Sequence, residues 1–206
     1  MNIISFDADG TLIDLDFVNA FWDREVPRLY SKRHGMDFEK ACRYVRSCYD
    51  ALGDEDLRWY QPDYWFKRFD LEEDPEYVID RIKHKVKVFP DAKDVLENLY
   101  GNYDLVVVSN APWRFLNLGL KEIKHYFSAI YSCTSDLGMV RKKPEVYLHI
   151  CERLGTRPEH LVHVGDHYKF DYEVPRKVGI RAYHVDRINK DTNGSLKDLR
   201  ELLEQL

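Results

Sequence analysis

The stretch Ile3-Ile4-Ser5-Phe6-Asp7-Ala8-Asp9-Gly10-Thr11-Leu12 is the key to the fold. An apolar run of this length bounded by glycine reads as a buried strand. Its carboxyl end is where open α/β sheets place their chemistry. Asp7 and Asp9 stand one residue apart at that end. Two carboxylates so close repel each other, and such a pair needs a cation, a shared proton or water around it. They read as a candidate metal or catalytic pair. The competing reading is an acidic turn, because Asp-Gly is a common turn dipeptide.

From Asp16 to about Lys87 no strand pattern follows, only helical periodicity rich in aromatics and charge. Asp37 to Leu52 carries the clearest helix: Asp37 caps it, Phe38, Ala41, Cys42, Val45 and Cys48/Tyr49 trace one stripe, and Gly53 ends it. Asp74-Pro75-Glu76 opens another, with a cap, a proline in the first turn and an early acid. From Val88 onward the rhythm changes to alternating strand and helix. Asp104–Val108, Ala129–Ser132, Leu161–Val164 and Ile180–Val185 read as strands. Helices are expected over Ala92–Tyr100, from near Pro144, from near Asp171 and from Ser195 to Leu206. That alternation predicts an α/β fold with a doubly wound, mainly parallel, Rossmann-like sheet. The division expected is a catalytic core of residues 1–15 and 88–206 interrupted by an all-helical insertion over residues 16–87.

The 206 residues are 44% hydrophobic, enough for a packed core. With 31 basic against 36 acidic residues and a formal charge of -5, nucleic acid is not expected as the main partner. No apolar stretch is long enough to span a bilayer, and no basic segment followed by an apolar one opens the chain. A soluble cytoplasmic protein without a membrane partner is therefore expected. Cys42, Cys48, Cys133 and Cys151 lack metal-ligand spacing and read as reduced structural thiols.

Each later strand end carries a polar residue suited to phosphate or metal. Val106-Val107-Val108 runs into Ser109-Asn110-Ala111-Pro112, where a hydroxyl and backbone N–H groups suit an anion, or simply cap a helix. Lys143 precedes Pro144, which favours an extended backbone and projects the ammonium; alone it reads equally as a surface charge. Gly165-Asp166, with Asp171 five residues on, offers a second carboxylate pair, or a turn followed by a cap.

In this order, Asp-x-Asp-Gly-Thr, Ser-Asn, Lys-Pro and Gly-Asp-x-x-x-x-Asp resemble the four motifs of the haloacid dehalogenase superfamily, over the whole chain. The insertion lies where members of that superfamily carry a helical cap. The resemblance implies a phosphomonoester hydrolase acting on a small phosphorylated metabolite. Asp7 would be the nucleophile that forms an aspartyl-phosphate, and Asp9 the acid and then the base. Mg²⁺ would be held by Asp7, the backbone carbonyl of Asp9, Asp166 and, directly or through water, Asp171. Ser109, Asn110, Gly10 and Thr11 would bind the phosphoryl group. Lys143, rather than Lys142, would stabilise its charge, because the family places its lysine directly before the proline. Asp9 and Asp166 separate this chain from the dehalogenases, which usually carry a tyrosine at the position of Asp9 and lack the Gly-Asp motif. A phosphomutase using the same intermediate and a signalling receiver domain are the alternatives.

Two positions depart from the superfamily pattern: Val146 stands where a second proline is common, and Pro175 where alanine is usual. His167 beside Asp166 reads as solvent-facing. The segment Trp59–Phe69 is dense in aromatics, with Pro62, Trp65, Phe66 and Phe69 on one helical face. That face is expected to form the insertion's own core and not a wall over the substrate.

Overall fold

In the computed structural model, which describes residues 3–188 and 194–206, β1 (Ile3–Phe6) is the central strand of a five-stranded sheet. Five helices follow it: α1 (Asp16–Asn19), α2 (Val26–His34), α3 (Phe38–Leu52), α4 (Pro62–Arg68) and α5 (Pro75–Ile82). The alternating region then runs α6 (Pro90–Leu99), β2 (Asp104–Ser109), α7 (Trp113–Gly119), β3 (Ala129–Ser132), α8 (Cys133–Asp136) and α9 (Pro144–Arg153). It ends with β4 (Leu161–Gly165), α10 (Val174–Lys177) and β5 (Arg181–His184). All strand pairs are parallel, in the order β3-β2-β1-β4-β5. The doubly wound parallel sheet read from the sequence is present.

Phe6 stands level with Val107 on one side and Val164 on the other. Alternate residues serve opposite layers, as the two-residue repeat of a strand requires. Ile4, Phe6, Leu105, Val107, Val162 and Val164 pack with α6, while Ile3, Val106 and Leu161 pack with Tyr147 and Cys151 of α9. The connections diverge at β1, β2 and β3 lying to one side and β4 and β5 to the other. That reversal opens a crevice at the carboxyl ends of the strands. The residue after β1 is Asp7.

The helical segment has its own apolar cluster, built around Phe17, Phe21, Trp65 and Phe66 and joined by Phe115 of α7. Its caps form as expected. The Asp37 carboxylate accepts from the Lys40 N–H, and Gly53 ends α3 at φ 76°. The Asp74 carboxylate accepts from the Glu76 N–H at 2.8 Å. The stripe Pro62, Trp65, Phe66 and Phe69 turns into this cluster, and the Trp65 indole donates to the Trp59 carbonyl at 3.0 Å. Two backbone bonds tie the segment's ends together, Asp14 N–H to Lys87 and Phe89 N–H to Leu12, both at 2.9 Å.

The chain's last element differs from the helix expected over Ser195–Leu206. The Leu196 N–H donates to His184 and its carbonyl accepts from Asp186, both at 2.8 Å, so this residue extends the sheet edge beside Val185. Only Leu199–Glu204 then coils, as a tight 3₁₀ segment capped by the Asp198 carboxylate. Pro175 is the second residue of α10, directly after the wide helical turn Tyr168–Glu173. Val146, in the first turn of α9, is buried in a cluster with Val108, Cys133 and Ile150. All four cysteines are free thiols, and no helix among the described residues is long and apolar enough to cross a membrane.

Candidate active site

The β1 ladder continues one residue past the strand, the Asp7 N–H donating to the Val164 carbonyl at 2.9 Å. The chain then folds back, with the Ala8 carbonyl accepting from the N–H groups of Leu12 and Ile13 at 2.9 and 3.0 Å. Gly10 makes that turn at φ 80°, and a Cβ there would lie 2.2 Å from the Asp166 carboxylate. Glycine is therefore required twice over, by conformation and by space. Arg187 holds the turn from outside. Its guanidinium donates to the carbonyls of Gly10 at 3.2 Å and Thr11 at 2.7 Å, and pairs with Asp91 at 2.8 Å. It also lies 3.9 Å from the centre of the Phe89 ring. The Asp91 carboxylate accepts the Leu199 N–H at 2.7 Å as well.

Ser109, the last residue of β2, is buried with its hydroxyl accepting from the Ala111 N–H at 3.2 Å. Asp166 follows β4. At Gly165 an added Cβ would meet the Asp171 carboxyl carbon at 2.4 Å, so glycine lets that acid approach. Asp171 arrives on a wide π-type turn over Tyr168–Glu173 that runs into α10. Carboxylate oxygens of Asp7, Asp166 and Asp171 consequently lie within 4.8 Å of one another.

The lysine expectation is corrected. Lys142, only 2% exposed, places its ammonium against the Asp7 carboxylate and 2.6 Å from that of Asp171. Lys143 is exposed at the N-cap of α9. Pro144 forces the residue before it into extended backbone, observed at φ -63° and ψ 165°, and from that cap the side chain leaves the crevice. Arg141 and Lys142 make the preceding turn at φ 60° and 33°, which brings Lys142 inward.

Asp171 carries a further partner that sequence reasoning missed. His163 is fully buried in the middle of β4, with Nε2 at 3.1 Å from the Asp171 carboxylate and Nδ1 at 2.7 Å from the Ser5 hydroxyl. An imidazole nitrogen facing a carboxylate must donate, so Nε2 carries the proton and Nδ1 accepts from Ser5. The Ser5 hydroxyl is also 3.2 Å from the Val162 carbonyl, and the shorter contact to His163 takes its single proton. The parallel register that sets Ser5 beside His163 was visible only once the strands were paired. The other carboxylate oxygen of Asp171 accepts the His167 N–H at 3.1 Å. His167 is exposed but also lines the cavity above this site, so the expectation of a purely solvent-facing ring is too simple; Nδ1 caps the turn by accepting from the Phe170 N–H at 3.3 Å.

Burial dominates the electrostatics. It raises the Asp9 carboxyl to about 7, with the Asp7 charge adding to the effect. Burial also raises Asp7 to about 6, against the pull of Lys142. Asp166 rises to about 8 through burial and the charges of Asp7 and Asp171. Asp171 goes the other way: burial opposes its ionisation, but Lys142 and His163 outweigh it and hold it below the usual carboxylate range. Three hard oxygen donors converge with one ammonium among them. That donor set fits a divalent cation such as Mg²⁺.

A cavity of about 310 Å³ opens above this floor. Asp7, Asp9, Ser109, Asn110, Lys142, Asp166 and Asp171 line its base, and Trp22, Arg46, Tyr49, Trp59, Tyr60 and Phe115 its walls. Gly10 and Thr11 do not line it; Thr11 is buried, and its hydroxyl has no hydrogen-bond partner in the protein. The aromatic segment thus divides. Trp65, Phe66 and Phe69 are core, as expected of their face, while Trp59 and Tyr60, on the turn before it, reach the cavity.

A family model described as haloacid dehalogenase-like hydrolase matches residues 1–179. The HAD phosphatase from Thermococcus onnurineus superposes with a TM-score of 0.85 and 29% identity, covering 100% of this chain and 97% of that one. Pyrophosphatase PpaX of Oceanobacillus iheyensis is 25% identical over 211 residues, 92% of this chain and 86% of the relative. GMP/IMP nucleotidase YrfG of Escherichia coli is 35% identical over 72 residues, 35% of this chain. The match spans 32% of that nucleotidase's length.

In metal-free protein the folded Asp166 keeps a proton that the unfolded chain releases near 3.8. The folded state then binds the extra proton, so stability falls as pH rises from about 4 towards about 8. Asp166→Asn is expected to reduce that slope, to which the raised Asp7 and Asp9 also contribute, to raise the metal-free Tm at pH 8 by a few degrees, and to remove the Tm increase on adding Mg²⁺. Thermal melts at pH 5 and pH 8, with and without Mg²⁺, measure all three.

Proposed function

The chain belongs to the haloacid dehalogenase-like hydrolase family, and from that premise we propose that it is a Mg²⁺-dependent phosphomonoester hydrolase working through an aspartyl-phosphate on Asp7. The observation that carries the reading is the contrast between two neighbouring acids. Asp7 is ion-paired to Lys142, while Asp9 is held near 7 and so keeps a proton to give. Burial raises both, Asp7 to about 6 and Asp9 to about 7, so the ion pair makes the assignment: the carboxylate aimed by Lys142 is the nucleophile and its more strongly raised neighbour the acid.

Asp7 attacks phosphorus as the P–O bond to the alcohol breaks, and Asp9 protonates the departing oxygen. The same carboxylate of Asp9 then takes a proton from the water that attacks the aspartyl-phosphate, releasing phosphate and restoring both acids. Lys142 keeps Asp7 aimed and balances charge on the transferred group, and Ser109 and Asn110 donate to its oxygens. Asp7, Asp166 and the Asp9 carbonyl would hold Mg²⁺, which when bound lets a carboxylate approach a phosphate dianion. Both oxygens of Asp171 are already engaged, by Lys142 and His163 and by the His167 N–H, which favours contact with the metal through water.

The helical segment, residues 16–87, is proposed as a cap on a core of residues 1–15 and 88–206. Its separate apolar cluster and its contribution of Trp22, Arg46, Trp59 and Tyr60 to the cavity support that division. The substrate proposed is a small phosphorylated metabolite. Aromatic walls suit a flat organic group, and one relative is a GMP/IMP nucleotidase, so nucleoside monophosphates head the panel to be assayed.

Phosphate release from a panel of esters with Mg²⁺ is the direct test; no turnover by folded, metal-loaded protein on any of them overturns the reading. Within that assay Lys142→Ala is expected to lose about 10²–10³-fold in kcat, in the range of a removed charge-stabilising donor. Lys143→Ala should stay within about twofold, because its ammonium faces solvent.

Asp9 also sets the pH profile. Protonated Asp9 is the acid for the first step, so kcat/KM should fall with rising pH on a limb centred at or below about 7. Asp9→Asn should abolish that limb and cost about 10²–10⁴-fold, the usual worth of a positioned acid–base group.

A further inference from the structure

Arg141 and Lys142 are the only adjacent non-glycine residues with positive φ among the described residues. Such backbone persists where its surroundings over-determine it. Here the two side chains are held by different parts of the molecule. The Lys142 ammonium is fixed by Asp7 and Asp171 on the floor of the cavity. The Arg141 guanidinium hydrogen-bonds the carboxylates of Asp54 and Glu55, in the segment that leaves α3 at Gly53. It also lies 5.7 Å from the centre of the Phe170 ring, next to Asp171. The segment bearing Asp54 and Glu55 leads directly into the short turn Leu57–Tyr60, whose Trp59 and Tyr60 face the cavity.

One strained turn therefore joins the helical segment to the ion pair on the nucleophile. We propose that Arg141 is a positioning residue for Lys142: seating of Asp54 and Glu55 on Arg141 sets the turn that delivers the ammonium to Asp7, so the lysine is aligned when the wall of the cavity is in place. The inference rests on the phosphatase reading for its kinetic consequences. A partly exposed ion pair adds little to global stability. Its effect here is to choose one backbone arrangement of a turn, and a misplacement of about 1 Å at a reacting centre costs on the order of 10²-fold.

A second bridge provides the control. Arg114 of α7 pairs with Asp63 at 2.7 Å and Glu76 at 3.3 Å, linking the same two parts of the molecule away from the lysine turn. Loosening the helical segment alone would follow from removing either arginine; misplacing Lys142 follows only from removing Arg141.

The experiment measures phosphate release, and calorimetric binding of inorganic phosphate, in the intact protein with Mg²⁺. Arg141→Ala should lower kcat by about 10–100-fold with a smaller change in KM, and weaken phosphate binding. Arg141→Lys should recover part of the loss, Asp54→Asn/Glu55→Gln should reproduce it, and Arg114→Ala should stay within about threefold of the parent. The charge-reversed triple variant Arg141→Glu/Asp54→Lys/Glu55→Lys should regain activity over Arg141→Glu alone. If circular dichroism shows Arg141→Ala unfolded, the Asp54→Asn/Glu55→Gln variant carries the test. Parity of Arg141→Ala with the parent, or equal losses in Arg141→Ala and Arg114→Ala, overturns the proposal. Should the parent release no phosphate from any ester, the phosphatase reading has failed. The phosphate-binding arm then decides on Arg141 alone, weaker binding in Arg141→Ala supporting its role and parity overturning it.

Discussion

A single ammonium governs the crevice at the end of β1. Asp7, Asp9, Asp166 and Asp171 crowd the carboxyl ends of two neighbouring strands, and Lys142 is the cation buried among them. Breaking a buried ion pair by removing one partner costs about 3–5 kcal/mol, because an uncompensated charge stays behind. The positions around the lysine look arranged to avoid that outcome. Gly10 and Gly165 have no Cβ, so Asp166 and Asp171 can close in. His163 and the His167 N–H satisfy Asp171 from behind. Arg187 holds the turn that carries Asp9. Asp9 and Asp166, which form no ion pair with Lys142, are driven furthest towards protonation, and burial raises even Asp7 beside it.

Much of this was legible in the chain because it depends on local rules. Strands read as apolar runs, caps as Asp37 and Asp74, and the acids as strand-end motifs, and each formed where expected. What escaped depends on contacts between distant segments. Choosing between Lys142 and Lys143 required knowing that two successive residues turn left-handed before Pro144, which neither lysine announces. His163 looked like a strand residue until β1 and β4 paired and set it beside Ser5. Arg187 and Asp91 stand 96 positions apart and acquire meaning only by meeting at the Gly10 turn. The closing helix failed for a related reason: backbone groups of Leu196 that a helix needs are used to extend the sheet edge.

The helical segment shows how one stretch can serve packing and recognition together. The same aromatic run that fills its core with Trp65 and Phe66 offers Trp59 and Tyr60 to the cavity, and the Trp65 indole ties the two uses by donating to the Trp59 carbonyl. Side chains on one helical face go inward because burial of large aromatics is strongly favourable. Those on the preceding tight turn lack that periodic constraint and are free to face the crevice.

The place of β1 in the sheet has a consequence for assembly. It precedes both of its neighbours in the chain: Asp104 and Leu161 arrive 101 and 158 residues after Ile3. Until those strands are made this apolar strand has both hydrogen-bonding edges open, the condition under which chains pair with one another. The helical segment intervenes with an apolar cluster whose buried members, apart from Phe115, are all made by Ile82. It can therefore collapse while β1 waits, and the clasp between Leu12–Asp14 and Lys87–Phe89 then returns the chain to the strand's own end. The helical segment thus hands the chain back at the end of β1, shortening the loop that the β1–β2 pairing has to close.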